Sequence, residues 1–169
     1  SNSLAASMEI LSYLNQQGRE GEIIHGSASY IAGRITSLAK VGMTRKKLEG
    51  QNLGIIGRPS DWLISSDPDK EAMKAKLGIN LVDIDIEELI EEYGRTEFMP
   101  SETDVNIPEG LKKYSQGAFR IYRALKSIIE RYDLSGLTLR CFDLLDTLGN
   151  TGCLALAMLN AEGIPAGCE

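Results

Sequence analysis

The chain has 169 residues, of which 43% are hydrophobic and 25% are charged, and its formal net charge is −6. This length predicts one full hydrophobic core, and the acidic balance argues against nucleic-acid binding, which needs clustered Lys and Arg. No apolar run approaches the roughly 18 residues of a membrane span, and the start lacks a signal-peptide pattern. Three cysteines in apolar surroundings, without C-x-x-C spacing, predict buried thiols in a reducing cytoplasm.

The first part of the chain is predicted to form a helix, a strand and a second helix. Apolar residues between residues 4 and 17 recur at helical spacing, the run at 22–26 is a short apolar stretch between glycines, and residues 27–50 return to the helical period. We assign residues 1–50 to a linking helix–strand–helix segment. The Ser-Asn start and the acidic last residue indicate an excised piece of a longer protein.

Residues 51–169 are predicted to form the main α/β domain. Four more apolar runs, at 53–57, 79–84, 137–142 and 164–168, predict strands separated by helical segments. These runs are continuously apolar rather than alternating, which is typical of a parallel sheet covered on both faces. We therefore predict a doubly wound, mostly parallel five-stranded sheet with helices on both faces, of the Rossmann or flavodoxin type.

The loops after the predicted strands contain the candidate site residues, because ligands of such sheets bind outside the carboxyl ends of the strands. The loop after the second strand contains Ser60, Asp61 and Trp62, and the indole of Trp62 either stacks on a sugar face or closes the top of the core. Asn150 lies in a GNTG turn, which could hold an anion at a helix start or simply be a tight turn. The chain contains neither the dinucleotide fingerprint nor the Walker loop.

Two acidic residues follow the last two predicted strands. Asp143 comes after the fourth strand and Glu169 after the fifth. If these strands are neighbours, about 4.8 Å apart, the two carboxylates converge and can share a cation. Oxygen ligands without thiolate suit Mg²⁺ or Mn²⁺. From spacing alone, the simpler interpretation is that Asp143 caps a turn and Glu169 is solvated.

Three stretches resemble the central part of the L-fucose isomerase and L-arabinose isomerase superfamily, particularly its fucose-isomerase-like members. They are "GEIIHG", "GRPSDWLISS" and "LRCFDLLDTLGNTGCLALAMLNAEGIPAGCE". The resemblance extends from about residue 8 to the end of the chain. It implies that residues 51–169 are the central α/β domain of a longer protein, whose C-terminal domain is not part of this sequence.

The resemblance also implies a chemistry. Members of the superfamily interconvert aldoses and ketoses with Mn²⁺ (or Mg²⁺) held by two acidic residues and a histidine, and a proton moves between neighbouring carbons through an enediol. By motif, Asp143 and Glu169 correspond to the metal ligands and catalytic acids, although the second ligand is either Glu169 or an acid beyond it. The histidine would lie in the C-terminal domain. Ser60, Asp61, Trp62 and Asn150 are the candidate substrate contacts.

The expected function is therefore that of a fragment of a metal-dependent aldose–ketose isomerase-like protein, inactive alone because a ligand and most of the pocket are missing. The full-length protein is expected to be cytoplasmic and homo-oligomeric. The alternative is a non-catalytic sugar-binding or interaction module with the same α/β sandwich. In both cases the partner is a small sugar, and neither a nucleic acid nor a membrane is expected.

Overall fold

The structure is a computed structural model and describes residues 3–65, 69–97 and 108–168. The chain divides into two compact units, Ser1–Lys46 and Lys47–Glu169, which are described separately. No helix among the described residues is both long and apolar enough to cross a membrane.

The first unit is built from helix α1 (Ser3–Gln16) and most of helix α2 (Ala28–Leu48). Both helices form where the apolar spacing predicts them. The predicted strand at 22–26 is wrong, because residues 19–27 contain neither helix nor strand. A strand needs a partner strand, and every strand in the described part of the chain lies in the second unit. Glu22 instead binds Arg34 of α2 through two hydrogen bonds of 2.7 Å.

The second unit contains a parallel sheet, which confirms the predicted α/β class. The sheet has four strands in the described residues rather than five, in the order β2-β1-β3-β4. In register, Ile56 at the end of β1 lies beside Ile84 of β2 and Leu139 of β3. The strands are β1 (Asn52–Ile56), β2 (Asn80–Ile84), β3 (Leu134–Leu139) and β4 (Ala166–Cys168).

Five helices accompany the sheet in the part of the second unit that the structure describes. A single 3₁₀ turn at Glu109–Leu111 leads into the longest of them. A short helix that follows β3 was predicted to be a loop, so that part of the sequence prediction is wrong. The helices are α3 (Lys70–Leu77), α4 (Ile86–Arg95), α5 (Lys112–Tyr132), α6 (Asp143–Leu148) and α7 (Cys153–Ala161).

The hydrophobic core lies where α5 packs against β1 and β3, with α4 and α7 beside α5. Ile121, Leu125 and Ile128 of α5 are fully buried, because helical spacing puts them on one face and the sheet and neighbouring helices cover α5. In β1, Gly54 and Ile56 are buried whereas Leu53 and Ile55 are only half-buried. Successive strand residues point to opposite faces, so one face of β1 is fully covered and the other only partly.

β3 begins at Leu134, three residues before the predicted start at residue 137, so the break between α5 and β3 also lies earlier than predicted. The break is at Asp133, which adopts the left-handed conformation with φ of 50° and ends α5. Asp tolerates this conformation better than most residues. Gly136 instead lies inside the strand, where a Cβ would come within 2.8 Å of the Pro165 carbonyl oxygen.

Candidate functional site at the strand ends

The carboxyl ends of β1 and β3 lie side by side at the centre of the sheet, where the strand order reverses. From β1 the chain moves to β2 on one side, and from β3 it moves to β4 on the other. Such a reversal leaves a crevice between the two departing connections, where α/β proteins bind ligands. A cleft of about 750 Å³ lies at this point. This switch-point cleft is lined by the loop 57–61, Thr138, Arg140, Lys70 and residues 83–85.

Gly57 allows the ends of β1 and β3 to approach closely. Its φ of 85° is unfavourable for other residues, and a Cβ at this position would lie 2.8 Å from the Cβ of Arg140. Hydrogen bonds fix the approach on both sides, since the Gly57 N–H donates to the Ile84 carbonyl at 3.0 Å and the Arg140 N–H donates to the Ile56 carbonyl at 2.9 Å. The strand ends therefore hold the loop that follows β1 at the wall of the cleft.

Two of the predicted substrate contacts lie in this loop and line the cleft. Ser60 and Asp61 are both lining residues, as the strand-end rule predicted. The Ser60 carbonyl accepts a hydrogen bond from the Leu63 N–H at 2.8 Å, which bends the chain into a turn. Trp62 sits within this turn with 75% of its surface exposed and is not a lining residue. The structure therefore brings Ser60 and Asp61 to the cleft and leaves the indole in solvent.

Basic and acidic side chains balance in the switch-point cleft. Lys70 and Asp83 form an ion pair across one side. On the other side, the Arg140 guanidinium donates to the Arg58 carbonyl at 3.1 Å and lies 3.1 Å from the Asp143 carboxylate. The charged lining residues are Arg58, Lys70 and Arg140 against Asp61, Asp83 and Asp85, so the lining has no formal net charge.

The cleft contains basic residues that the sequence analysis missed. Arg140 was missed because it lies inside the run 137–142 that was predicted to be a strand, whereas β3 ends at Leu139 and Arg140 follows it. Lys70 had no strand-end signal, because it is the first residue of α3 and reaches the cleft only through its ion pair with Asp83 on β2.

Asp143, the first predicted metal ligand, is the first residue of α6 and is not in a strand-end loop as predicted. Its carboxylate is 37% exposed and pairs with Arg140, whose guanidinium lines the cleft. Glu169, the second predicted ligand, lies outside the described residues. Within residues 3–65, 69–97 and 108–168, no group of three or more His, Cys, Asp or Glu side chains is arranged to hold a metal ion. Of the two predicted ligands, the described residues therefore contain Asp143 alone, and its carboxylate is paired with Arg140.

Asn150, the remaining predicted substrate contact, lies elsewhere. It lines a second cleft of about 520 Å³ between the end of α4 and the start of α5, which shares no lining residue with the switch-point cleft. The Asn150 amide donates to the Tyr114 carbonyl at 2.7 Å. Gly117 makes room for this contact, because a Cβ there would lie 2.7 Å from the amide nitrogen. Asn150 thus connects the turn after α6 to α5 through a hydrogen bond.

The three cysteines lie near the same end of the sheet, and all are thiols. The Sγ atoms of Cys141, just after β3, and Cys168, at the end of β4, are 2.7 Å apart. Burial raises the pKa of Cys141 to about 12, and the neighbouring Cys168 and Cys153 sulfurs contribute to the rise. The prediction that all three are buried is wrong for Cys153 and Cys168, which are exposed.

The sequence was compared with protein-family models and with curated proteins. No family model matches the chain, and a search of curated proteins finds no match.

Proposed function

We propose that residues 51–169 are the central domain of an aldose–ketose isomerase-like protein and that the switch-point cleft binds the open-chain sugar. The observation that carries the proposal is the position and lining of the cleft. It lies where the strand order reverses, and the polar residues of its mixed lining offer donors and acceptors whose formal charges balance. Its volume of about 750 Å³ falls within the range of small-molecule sites.

The balanced charges favour a neutral polyol over a phosphate or nucleotide. Each sugar hydroxyl both donates and accepts hydrogen bonds, so it pairs equally well with a carboxylate such as Asp61 and a guanidinium such as Arg58. A phosphate-binding cleft would instead need an excess of positive charge or a row of backbone N–H groups. Ser60 adds a hydroxyl beside Asp61 at the same wall.

The isomerase part of the proposal is supported by the sequence resemblance. In the full-length protein, Asp143 and either Glu169 or a following acid would hold Mn²⁺ with a histidine from the C-terminal domain. The Arg140 guanidinium would position Asp143, since it contacts one carboxylate oxygen and leaves the other for a ligand. A non-catalytic sugar-binding or interaction module with the same α/β sandwich is the second candidate, and the switch-point cleft would serve it equally well. Cytoplasmic location and homo-oligomerisation stay predictions.

We also infer that the sheet is doubly wound. The connections from β1 to β2 and from β2 to β3 run in opposite directions across the sheet. Crossovers between parallel strands are nearly always right-handed, so opposite directions place the connecting helices on opposite faces. On this topology α3, which contacts β2, covers one face, and α5, which contacts β1 and β3, covers the other.

Sugar binding is tested by titrating the chain with pentoses, hexoses and deoxyhexoses and following ligand signals by saturation-transfer NMR. We expect saturable binding that weakens about 10-fold or more in Asp61→Asn, because a hydrogen bond to a charged group contributes about 1.5–3 kcal/mol. Asp146→Asn is the matched control, since Asp146 is an exposed acid of α6 outside both clefts. Lys113→Ala, in the second cleft, should also leave binding unchanged.

If sugar binding is unchanged in Asp61→Asn and is lost in Lys113→Ala, the sugar binds in the second cleft and not in the switch-point cleft. The absence of saturable binding for every sugar would reject the proposal. Catalysis is tested separately with Mn²⁺: the full-length protein should convert an aldose to its ketose, and this chain alone should not. Turnover by the isolated chain above a chelated control would contradict the fragment interpretation, whereas sugar binding by an inactive full-length protein would favour the non-catalytic module.

A further inference from the structure

We propose that Cys141 and Cys168 form a redox-modification site, in which a low-molecular-weight disulfide such as oxidised glutathione converts the two thiols into a reversible intramolecular disulfide. The proposal rests on the positions of the thiols and does not depend on the proposed sugar-binding function. The two residues are 27 positions apart in the sequence, so only the fold brings them together.

The geometry of the sheet places these two sulfurs in contact. β3 and β4 are hydrogen-bonded parallel neighbours, with Leu139 in register with Cys168. Cys141 follows Leu139 by two residues, where the chain has left β3, and its side chain returns toward the end of β4 so that the Sγ atoms are 2.7 Å apart. A disulfide bond is about 2.05 Å long, so the two sulfurs need only a small movement to join.

The two thiols differ in their access to an oxidant. Cys168 is exposed at the end of β4, whereas only 1% of Cys141 is exposed. A bulky reagent therefore reaches Cys168 before Cys141, and Cys141 is positioned to attack the Cys168 sulfur beside it. This division between an accessible thiol and a buried resolving thiol is the arrangement that closes an intramolecular disulfide.

The exchange balances in two steps. In the first, the Cys168 sulfur attacks one sulfur of oxidised glutathione, the glutathione S–S bond breaks, and one glutathione leaves as a thiol with the proton from Cys168. In the second, the Cys141 sulfur attacks the Cys168 sulfur of the mixed disulfide, and the second glutathione leaves with the proton from Cys141. Two protein thiols are oxidised to one disulfide, and one glutathione disulfide is reduced to two thiols.

Cys153 is the competing partner. It is the exposed first residue of α7, and its sulfur is near enough to Cys141 to influence the Cys141 thiol. We assign the bond to Cys141 and Cys168 because theirs is the sulfur contact of 2.7 Å. Cys153 then serves as the matched control, since it is a third thiol near the same sheet end that the proposed bond does not use.

The experiment treats the full chain with oxidised glutathione under native conditions and follows the intact mass and the non-reduced peptides. We expect a product that has lost two hydrogens, a cross-linked peptide pair containing Cys141 and Cys168, and recovery of the starting mass with dithiothreitol. The bond closes a loop of 27 positions, so we also expect Tm to rise by about 5–10 °C on oxidation.

Variants separate this assignment from the alternatives. Cys153→Ser should form the same cross-link as the unchanged chain. Adding Cys168→Ser to that background should abolish the cross-link, and adding Cys141→Ser instead should leave a stable glutathione adduct on Cys168, with circular dichroism confirming that both variants fold. The proposal is overturned if the cross-linked peptides contain Cys153, if Cys153→Ser removes the bond, or if the folded chain forms only glutathione adducts.

Discussion

Helices α2 and α5 each contain 21 residues, but they lie in very different surroundings. In α2, which belongs mostly to the first unit, no residue is buried. In α5, at the centre of the second unit, buried residues extend from Ser115 to Ile129. The same contrast holds for α1, which also has no buried residue.

The contrast shows what helical spacing predicts and what it does not. Ile31, Ile35 and Leu38 of α2 follow one another much as Ile121, Leu125 and Ile128 of α5 do, and both patterns correctly predict a helix. Spacing indicates which side of a helix is apolar, but a second element must cover that side before burial contributes its roughly 25 cal/mol per Å². The sheet supplies that cover for α5.

The largest effect is expected from removing the same side-chain atoms in the two helices. Ile121 is 0% exposed and Ile35 is 54% exposed. Ile121→Ala should lower the free energy of unfolding by about 2–5 kcal/mol, because it leaves a cavity in the core. Ile35→Ala should change it by less than about 0.5 kcal/mol, since Ala favours the helix and little buried surface is lost. Guanidinium-induced unfolding measures both, and equal losses would contradict the contrast between the units.

The fold could be predicted where burial and local pattern agree. β1 and β2 form within a residue of their predicted bounds because each combines a mainly apolar run with flanking turn residues. The run at 22–26 had the same local pattern but has no partner strand in the first unit. α6 has only six residues, which is too short for a helical period to stand out from the turn around it.

The candidate site could be predicted in part, for a related reason. The strand-end rule locates Ser60 and Asp61 because they follow β1 directly in the sequence. It misplaces Asn150, because the unpredicted helix α6 lies between β3 and the GNTG turn. The turn therefore contacts α5 and does not line the switch-point cleft. Lys70 joins the cleft only through a contact with the neighbouring strand, which a linear pattern does not reveal.

A smaller effect, of opposite sign in the two units, is expected at two glycines. Gly57→Ala should cost about 1–3 kcal/mol, because φ is 85° and the new Cβ would meet Arg140 at 2.8 Å. Gly33→Ala should stabilise α2 by about 0.5–1 kcal/mol, because this helical glycine has nothing within 4 Å of a Cβ. Denaturant-induced unfolding measures the change in the free energy of unfolding for Gly57→Ala. Amide exchange rates across α2 measure the stabilisation by Gly33→Ala. If Gly33→Ala does not slow amide exchange in α2, the stability of this helix is not limited by its local helix propensity.

The smallest effect concerns pH and two ion pairs, one in each unit. In the second unit, Arg131 donates to the Glu92 carboxylate at 2.5 Å, and the Glu92 side chain is only 12% exposed. Hydrogen bonds from Arg131 and Ser127 lower the pKa of Glu92 below its ordinary value of 4.5, and Arg95 at 3.5 Å adds to the effect. In the first unit, Arg34 lowers the pKa of Glu22 in the same direction, but that side chain is 40% exposed.

A lowered pKa in the folded state means that folding favours the charged carboxylate, so the stabilisation is complete above about pH 4.5 and is lost as the pH falls through the lowered pKa. The free energy of unfolding should therefore fall as the pH drops below about 5 and through the lowered pKa of Glu92. Glu92→Gln should cost about 1 kcal/mol at pH 7 and make this fall shallower, because Arg131 loses a charged partner in a poorly solvated position. Glu22→Gln is the control and should change neither the stability nor the slope measurably, since water screens an exposed pair. If Glu22→Gln flattened the pH profile as much as Glu92→Gln, the ion pair of the first unit would contribute as much as that of the second, and burial would not be what separates them.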